Sequence, residues 1–324
     1  MRAHSRISTT VARLATALAF FHAALPAAAQ SLKFVIGLPA GGAIDGYARV
    51  VADPIGQALG RPVIIENRPS ASGNLAALYT AQAPADGATI WVGTMANTEI
   101  TPHVFDNLRW SMRDFLPLVK GVQSPLVLVT HPSVPARSLD ELVAWLRANP
   151  GKHAYSSYSA GTPSHFLGAQ FTEKFGLDLA HVPFPGSGPQ AINLIGGHAL
   201  FGFAQVQSVL PHVQAGKLNA IATTSEARFR SFPDTPTFRE LGYPEFSVGV
   251  WFGLLVRAAT PPDIATKLRD AAVAVHAQQN YRDLLIPQGY DMADQHGDDF
   301  AAAIAAGSQR WARLVRATGF KASE

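Results

Sequence analysis

The stretch Gly37-Leu38-Pro39-Ala40-Gly41-Gly42-Ala43-Ile44-Asp45 follows a short apolar run, Phe34-Val35-Ile36, and precedes a segment in which Ala48, Val51, Ile55 and Leu59 recur at three- and four-residue spacing. That spacing puts the four on one face of a helix, which Gly60 and Pro62 close. Gly41 and Gly42 therefore stand on a strand-to-helix turn. Glycines there let the backbone approach a ligand closely, while the unpaired N–H groups of the first helical turn and the positive end of its dipole attract a carboxylate or similar anion. The same residues also suit a plain tight turn in which Asp45 only favours the helix N-terminus. Taken alone, the stretch is compatible with both.

Residues 1–29 have the form of a secretory signal. Arg2, Arg6 and Arg13 lead an apolar stretch from Leu14 to Leu25, and Pro26 and Ala27-Ala28-Ala29 supply small residues for cleavage after Ala29. The stretch is too short and too poorly flanked for a stable membrane span, and no later segment approaches about eighteen uninterrupted apolar residues. The expected mature protein starts at Gln30, is soluble and resides in the periplasm. With no cysteine in the chain, a disulfide framework, a thiolate metal site and a lipid-modified cysteine are all excluded.

The chain has 324 residues with 26 Lys+Arg against 23 Asp+Glu. Cleavage would remove three arginines and no acid, leaving the charges balanced. Such a surface offers no footprint for nucleic acid or an anionic membrane. Arg310, Arg313 and Arg316 cluster at helical spacing but lie at the end of an expected Phe300–Thr318 helix, where they complement its dipole. Even after processing, the chain exceeds what one hydrophobic core usually organises, so two lobes are expected.

Strand-like and helix-like runs alternate along the chain, the signature of α/β layers with mostly parallel sheets. Pro125–Thr130 and Trp251–Val256 are strand-like and bracket the middle of the chain. If they run side by side between lobes they form a hinge. Domain 1 would then comprise residues 30–127 and 250–324, and domain 2 residues 128–249, with a ligand cleft between them. A second loop, Ser157-Tyr158-Ser159-Ala160-Gly161-Thr162-Pro163-Ser164-His165, repeats the logic of the first: a strand, then small and hydroxyl-bearing residues, then a helix start. Its hydroxyls and N–H groups suit a carboxylate or carbonyl, although Thr162 or Ser164 could equally cap the helix. Two such loops, one in each expected lobe, describe a ligand clamped between domains.

The chain resembles the periplasmic solute-binding proteins of tripartite tricarboxylate transporters, the Bug family. The residues that carry the resemblance are Pro39-Ala40-Gly41-Gly42 with Asp45 and Ala48-Arg49; Glu66-Asn67-Arg68-Pro69; Ala85-Asp86-Gly87; Ser159-Ala160-Gly161 with Ser164-His165; His181-Val182-Pro183-Phe184 with Gly186-Ser187-Gly188-Pro189; Gly196-Gly197; Ala215-Gly216-Lys217; Pro233-Asp234-Thr235-Pro236-Thr237; and Trp251-Phe252-Gly253-Leu254. Each is weak alone, and their ordered spacing is specific. The resemblance implies a two-lobed type II periplasmic-binding fold, monomeric, that closes on a small carboxylated metabolite and hands it to transporter membrane subunits. It implies ligand contacts from Leu38, Gly41, Gly42, Ala43, Ile44 and Asp45 on one side. On the other it implies Ser157, Tyr158, Ser159, Ala160, Gly161, Thr162 and His165. Phe184, Gly186, Thr94, Asn97 and Gln205 are weaker candidates for the cleft wall. The departures are Gly37, Leu38 and Ala40, where relatives commonly carry proline, an aromatic residue and proline, so the first loop should be looser and unable to stack a ring. Pro185 replaces a frequent lysine, and Ser70-Ala71-Ser72-Gly73 is less glycine-rich than usual, which reads as a structural variation.

A ligand-presenting sensor subunit is the alternative within binding proteins. An exported hydrolase is the catalytic alternative, because Ser159, Ser164 and His165 lie close together and Asp45 could face them. No G-x-S-x-G elbow occurs, and His165 in a first helical turn reads as packing or capping. Gly186-Ser187-Gly188-Pro189-Gln190-Ala191 matches a dinucleotide fingerprint but lacks the acidic residue about twenty positions on. The eleven histidines show no paired-ligand spacing. No cofactor, metal or catalytic residue is expected.

Overall fold

The computed structural model describes residues 30–322. The predicted signal segment, residues 1–29, lies outside the described residues. The chain opens with β1 (Leu32–Ile36), almost wholly buried, followed by α1 (Ala43–Leu59), β2 (Val63–Asn67), α2 (Asn74–Gln82) and β3 (Thr89–Thr94). β1 lies between β2 and β3, parallel to both, which requires helical crossovers. Ala48, Val51, Ala52 and Ile55 of α1 are buried, and Gly60, at φ 63°, ends the helix as the spacing predicts. After β3 the backbone makes a π-helical turn, Ala96–Ile100, and a short α-turn, Thr101–Val104.

The long strand β4 (Phe115–Thr130) then leads through α3 (Leu139–Arg147), β5 (His153–Ser157), α4 (Pro163–Lys174), β6 (Leu179–Pro183), α5 (Ser187–Ile195), β7 (Phe201–Gln205), α6 (Val206–Gln214) and β8 (Asn219–Thr223). Here β5 lies between β6 and β7, parallel to both. The return path is β9 (Gly249–Arg257), α7 (Pro262–Ala277), α8 (Gln279–Leu285), β10 (Asp291–Met292) and α9 (Gly297–Thr318). The strand order is β2-β1-β3-β9-β4-β7-β5-β6.

Two long strands join the two parallel groups, but not as the sequence predicts. β9 pairs antiparallel with the first part of β4, from Phe115↔Arg257 to Pro125↔Gly249. The expected hinge segment Pro125–Thr130 is the far end of the same strand, and beyond Pro125 it pairs with β7 and β8 instead. One continuous strand thus changes partners at Ser124–Pro125. The partner change is a long-range choice, so the local apolar pattern carries no trace of it.

The core follows this division. One apolar cluster gathers β1, α1 and α7 around Phe34, Tyr47, Val51 and Leu268. A second, around Val127, Leu194 and Leu210, lies under α5 and α6. A third runs through both halves, from Trp91 and Phe115 to Phe171 and Phe203, and includes Trp251, Phe300 and Trp311. α9 therefore braces both halves: its Trp311 ring lies 5.9 Å from Phe166 of α4. No helix among the described residues is long and apolar enough to cross a membrane.

Candidate ligand-binding cleft

The first loop is shaped by close backbone packing and by Asp45. A Cβ on Gly37 would stand 2.5 Å from the Gly73 Cα, so only glycine lets the loop lie against the Ser70–Gly73 turn. Asp45, 3% exposed, accepts the Gly41 N–H at 3.0 Å, Arg49 Nε at 2.8 Å and Asn67 Nδ2 at 3.1 Å. Burial alone would raise its pKa, but these donors together hold it below the usual carboxylate range. Asn67 Nδ2 also donates to the Leu38 carbonyl at 3.1 Å. The loop expected to be loose is therefore tied at three points.

Two N–H groups of the presumed anion cradle are already engaged. Gly41 donates to Asp45, and Ala43 donates to Ser187 Oγ of α5 at 3.2 Å, while the Ala43 carbonyl accepts the Tyr290 hydroxyl at 2.6 Å. Gly41, Gly42 and Ala43 face an outer groove shared with Gly188, Ile192 and Gln207. A Cβ on Gly186, at φ 122°, would lie 3.6 Å from Pro39 Cδ, and the Gly186 N–H donates to the Tyr158 carbonyl at 2.8 Å. The glycine pattern rejected above as a dinucleotide fingerprint serves this approach between the halves: a Cβ on Gly188 would lie 3.4 Å from the Gly41 carbonyl. Ile44 is buried in the first core cluster, and Phe184 packs at the edge of the cluster under α5.

The second loop holds itself together with its own hydroxyls. Neither Thr162 nor Ser164 caps α4: Thr162 Oγ1 donates to the Ser159 carbonyl at 2.6 Å, and Ser164 Oγ to the Phe203 carbonyl at 2.5 Å. The Gly161 N–H donates to His165 Nδ1 at 3.2 Å. His165 stacks on His181 with centroids 4.0 Å apart, and His181 Nε2 meets Ser157 Oγ at 2.7 Å. Burial lowers the two imidazoles to about 3 for His165, with the neighbouring His181 adding to the effect, and to about 4 for His181. Phe320, beyond α9, sits edge-on to His165 at 4.5 Å. The Ala160 carbonyl accepts Ser72 Oγ from the opposite half at 3.1 Å.

Between the loops lies a small cavity of about 20 Å³, room for about one water. Of the predicted residues it brings together Leu38, Thr94, Asn97, Tyr158, Ser159, Thr162 and Gln205, and it adds Ser72, Met95, Ala96, Pro163, Val250, Trp251 and Phe252. Among the described residues, no charged side chain lines it. Thr94 Oγ1 donates to Asn97 Oδ1 at 2.9 Å, and Asn97 Nδ2 donates to the Ser72 carbonyl. Gln205 is 4% exposed and lines the cavity. Its amide carries both donors and an acceptor at the cavity wall. Ser72 and Trp251 escaped the sequence reading of the cleft although both stand in quoted motifs, because nothing local shows which way they face.

A nucleophile and base do not assemble from Ser159, Ser164 and His165. Ser159 Oγ lies 3.3 Å from the Ala160 carbonyl, Ser164 is bound to Phe203, and His165 accepts from the Gly161 backbone. Asp45 is consumed by Arg49. Ser157 and His181 do touch, but Ser157 is wholly buried and neither lines the cavity.

Residues 47–320 match the model of the tripartite tricarboxylate transporter family receptor. The chain belongs to that family. Among the receptor's relatives, the protein BugT of Bordetella pertussis is 32% identical over 295 residues, 90% of each chain. A solved structure of Rhodopseudomonas palustris Rpa4515 with adipate superposes with a TM-score of 0.86 at 25% identity, covering 92% of this chain and 99% of the other. MatC from the same organism, with bound malate, gives 0.83 at 27% identity, covering 88% and 98%. The receptor thus has the two-lobed periplasmic-binding-protein fold that the alternating pattern and the resemblance imply.

Proposed function

We propose that this receptor captures a small organic acid between its lobes and delivers it to the membrane subunits of a tripartite tricarboxylate-type transporter, without catalysis. The observation that carries this reading is the cavity between two strand-to-helix loops, lined only by neutral groups, with Gln205, Ser159 and Thr162 as polar contacts. Neutral donors and helix N-termini suffice to bind a carboxylate. That two relatives were solved with adipate and malate supports the ligand class. The cavity is smaller than either acid, so ligand entry requires the lobes or loops to part, as in hinge closure.

The lobes are read as residues 30–127 with 250–324, and 128–249, joined at the partner change in β4. Binding contacts are assigned to Leu38, Thr94, Asn97, Tyr158, Ser159, Thr162 and Gln205. The other loop residues, Gly41 to Asp45, Ser157, Ala160, Gly161, His165 and Gly186, shape the loops and their approach. The basic, apolar and small-residue order of residues 1–29 supports export to the periplasm.

The test is thermal unfolding of residues 30–324 against mono-, di- and tricarboxylates and their amides, with calorimetry on each hit. A midpoint raised by an acid but not by its amide is expected, with the acid recovered unchanged. Binding of the amide equally well, or turnover of the acid, would refute the reading.

A further inference from the structure

Glu99 belongs to the π-helical turn whose first residues, Ala96 and Asn97, line the cavity, and it is 3% exposed. Its Oε1 accepts the indole N–H of Trp251 at 2.8 Å, and Trp251 itself lines the cavity, so one indole stands between the carboxyl and the ligand space. Its Oε2 has no hydrogen-bond partner among the described residues. The carboxyl is accommodated because α9 carries glycine at 307, where a Cβ would lie 2.0 Å from Oε2.

The charged groups facing Glu99 are Arg310 of α9 and Lys120 of β4, and none forms an ion pair with it among the described residues. Lys120 Nζ instead donates to Gln295 Oε1 at 3.1 Å, and burial lowers its pKa. His103, on the adjoining turn, is engaged with Ser308 at 2.8 Å and is likewise lowered by burial. A buried carboxylate with one hydrogen bond and no cation in contact is costly as an anion. Desolvation accordingly pushes Glu99 up to about 7, against the opposing pull of Trp251, Arg310 and Lys120. π-turns are frequent at functional sites.

We propose that Glu99 is a specificity-determining residue of the cleft: neutral, it admits a carboxylate beside Trp251, and ionised, it repels one, so the receptor takes up a proton together with its anionic ligand. This inference rests on the carboxylate reading above. A ligand anion disfavours Glu99 ionisation, so occupancy raises the Glu99 pKa further and draws a proton from solvent. Affinity is full below the pKa of the free receptor and falls as pH rises from that value to the pKa of the complex.

The experiment is calorimetric titration of adipate and of malate into the wild-type receptor between about pH 6 and 8.5, where both ligands stay ionised, in buffers of contrasting ionisation enthalpy. Expected are net proton uptake and affinity weaker at the alkaline end by on the order of tenfold, one pKa unit of coupling. Glu99→Gln should bind with the wild-type acidic affinity at every pH and take up no proton. Binding without proton uptake in wild type, or wild-type pH dependence in Glu99→Gln, overturns the role of Glu99 alone. Failure of both acids to bind at any pH overturns the ligand class and this role with it. The wild-type proton count needs no variant to fold.

Discussion

Ser72 is the one non-glycine residue at positive φ among the described residues, at 49°. A side chain in that region is strained, and its persistence at the cleft invites a functional reason. The reason is visible: its Oγ crosses to the Ala160 carbonyl, and it lines the cavity. What the sequence suggests is a structural variation is better described as a cross-lobe contact. Ser72→Gly is expected to raise the unfolding temperature of the free protein by relieving about 1 kcal/mol of left-handed strain. It should also weaken acid binding several-fold by removing one hydrogen bond worth about 1 kcal/mol. Melting and calorimetry on the same preparation check both, and unchanged affinity would show that the contact plays no part in closure. Ser72 could not have been recognised from its neighbours, because its strain and reach follow from the packing of Gly37 on Gly73, residues that meet only in the folded chain.

At the scale of elements, the start of α4 is organised by the His165–His181 stack against Ser157, Gly161 and Phe320. Both imidazoles are depressed, to about 3 and about 4, chiefly by burial. Their folded-state pKa values lie below the unfolded value of about 6.5, so the stability they contribute is present above that value and is lost as pH falls toward 4 and then 3. The melting temperature is therefore expected to decline on acidification below about pH 6.5. The double variant His165→Asn, His181→Asn should show a flatter profile, and an equally steep one would move the effect elsewhere. Glu99 has the opposite sign: its raised pKa gives stability that is full below about 4.5 and lost as pH rises toward 7. The two trends meet in a stability maximum on the acid side of neutrality.

At the scale of the molecule, closure depends on how near the lobes can come. Gly42 has φ −90°, a conformation open to any residue, yet a Cβ there would lie 3.2 Å from Ser187 Oγ across the lobes. Gly42→Val is thus expected to fold normally, obstruct the closed state and weaken binding by about tenfold or more. In small-angle scattering the wild type should compact when acid is added, and the variant should stay expanded. Equal compaction and equal affinity would exclude this contact from the closing interface.

The alternation of strands and helices, the ends of α1 at Gly42 and Gly60, the two glycine- and hydroxyl-bearing loops and the two-lobed plan were all legible in the sequence. Each depends on spacing within one or two turns or on the conformational range of a single glycine, both local properties. Tertiary structure alone decided that one 16-residue strand serves both halves, and that Ala43 gives its N–H group to Ser187. It also decided that Ser72 and Trp251 converge on one cavity, with Glu99 behind the Trp251 indole. Hydrogen-bond partners and buried charges are set by which surfaces meet when the chain collapses. Glu99 and Trp251 are separated by 152 positions, far outside any window in which sequence pattern has physical force.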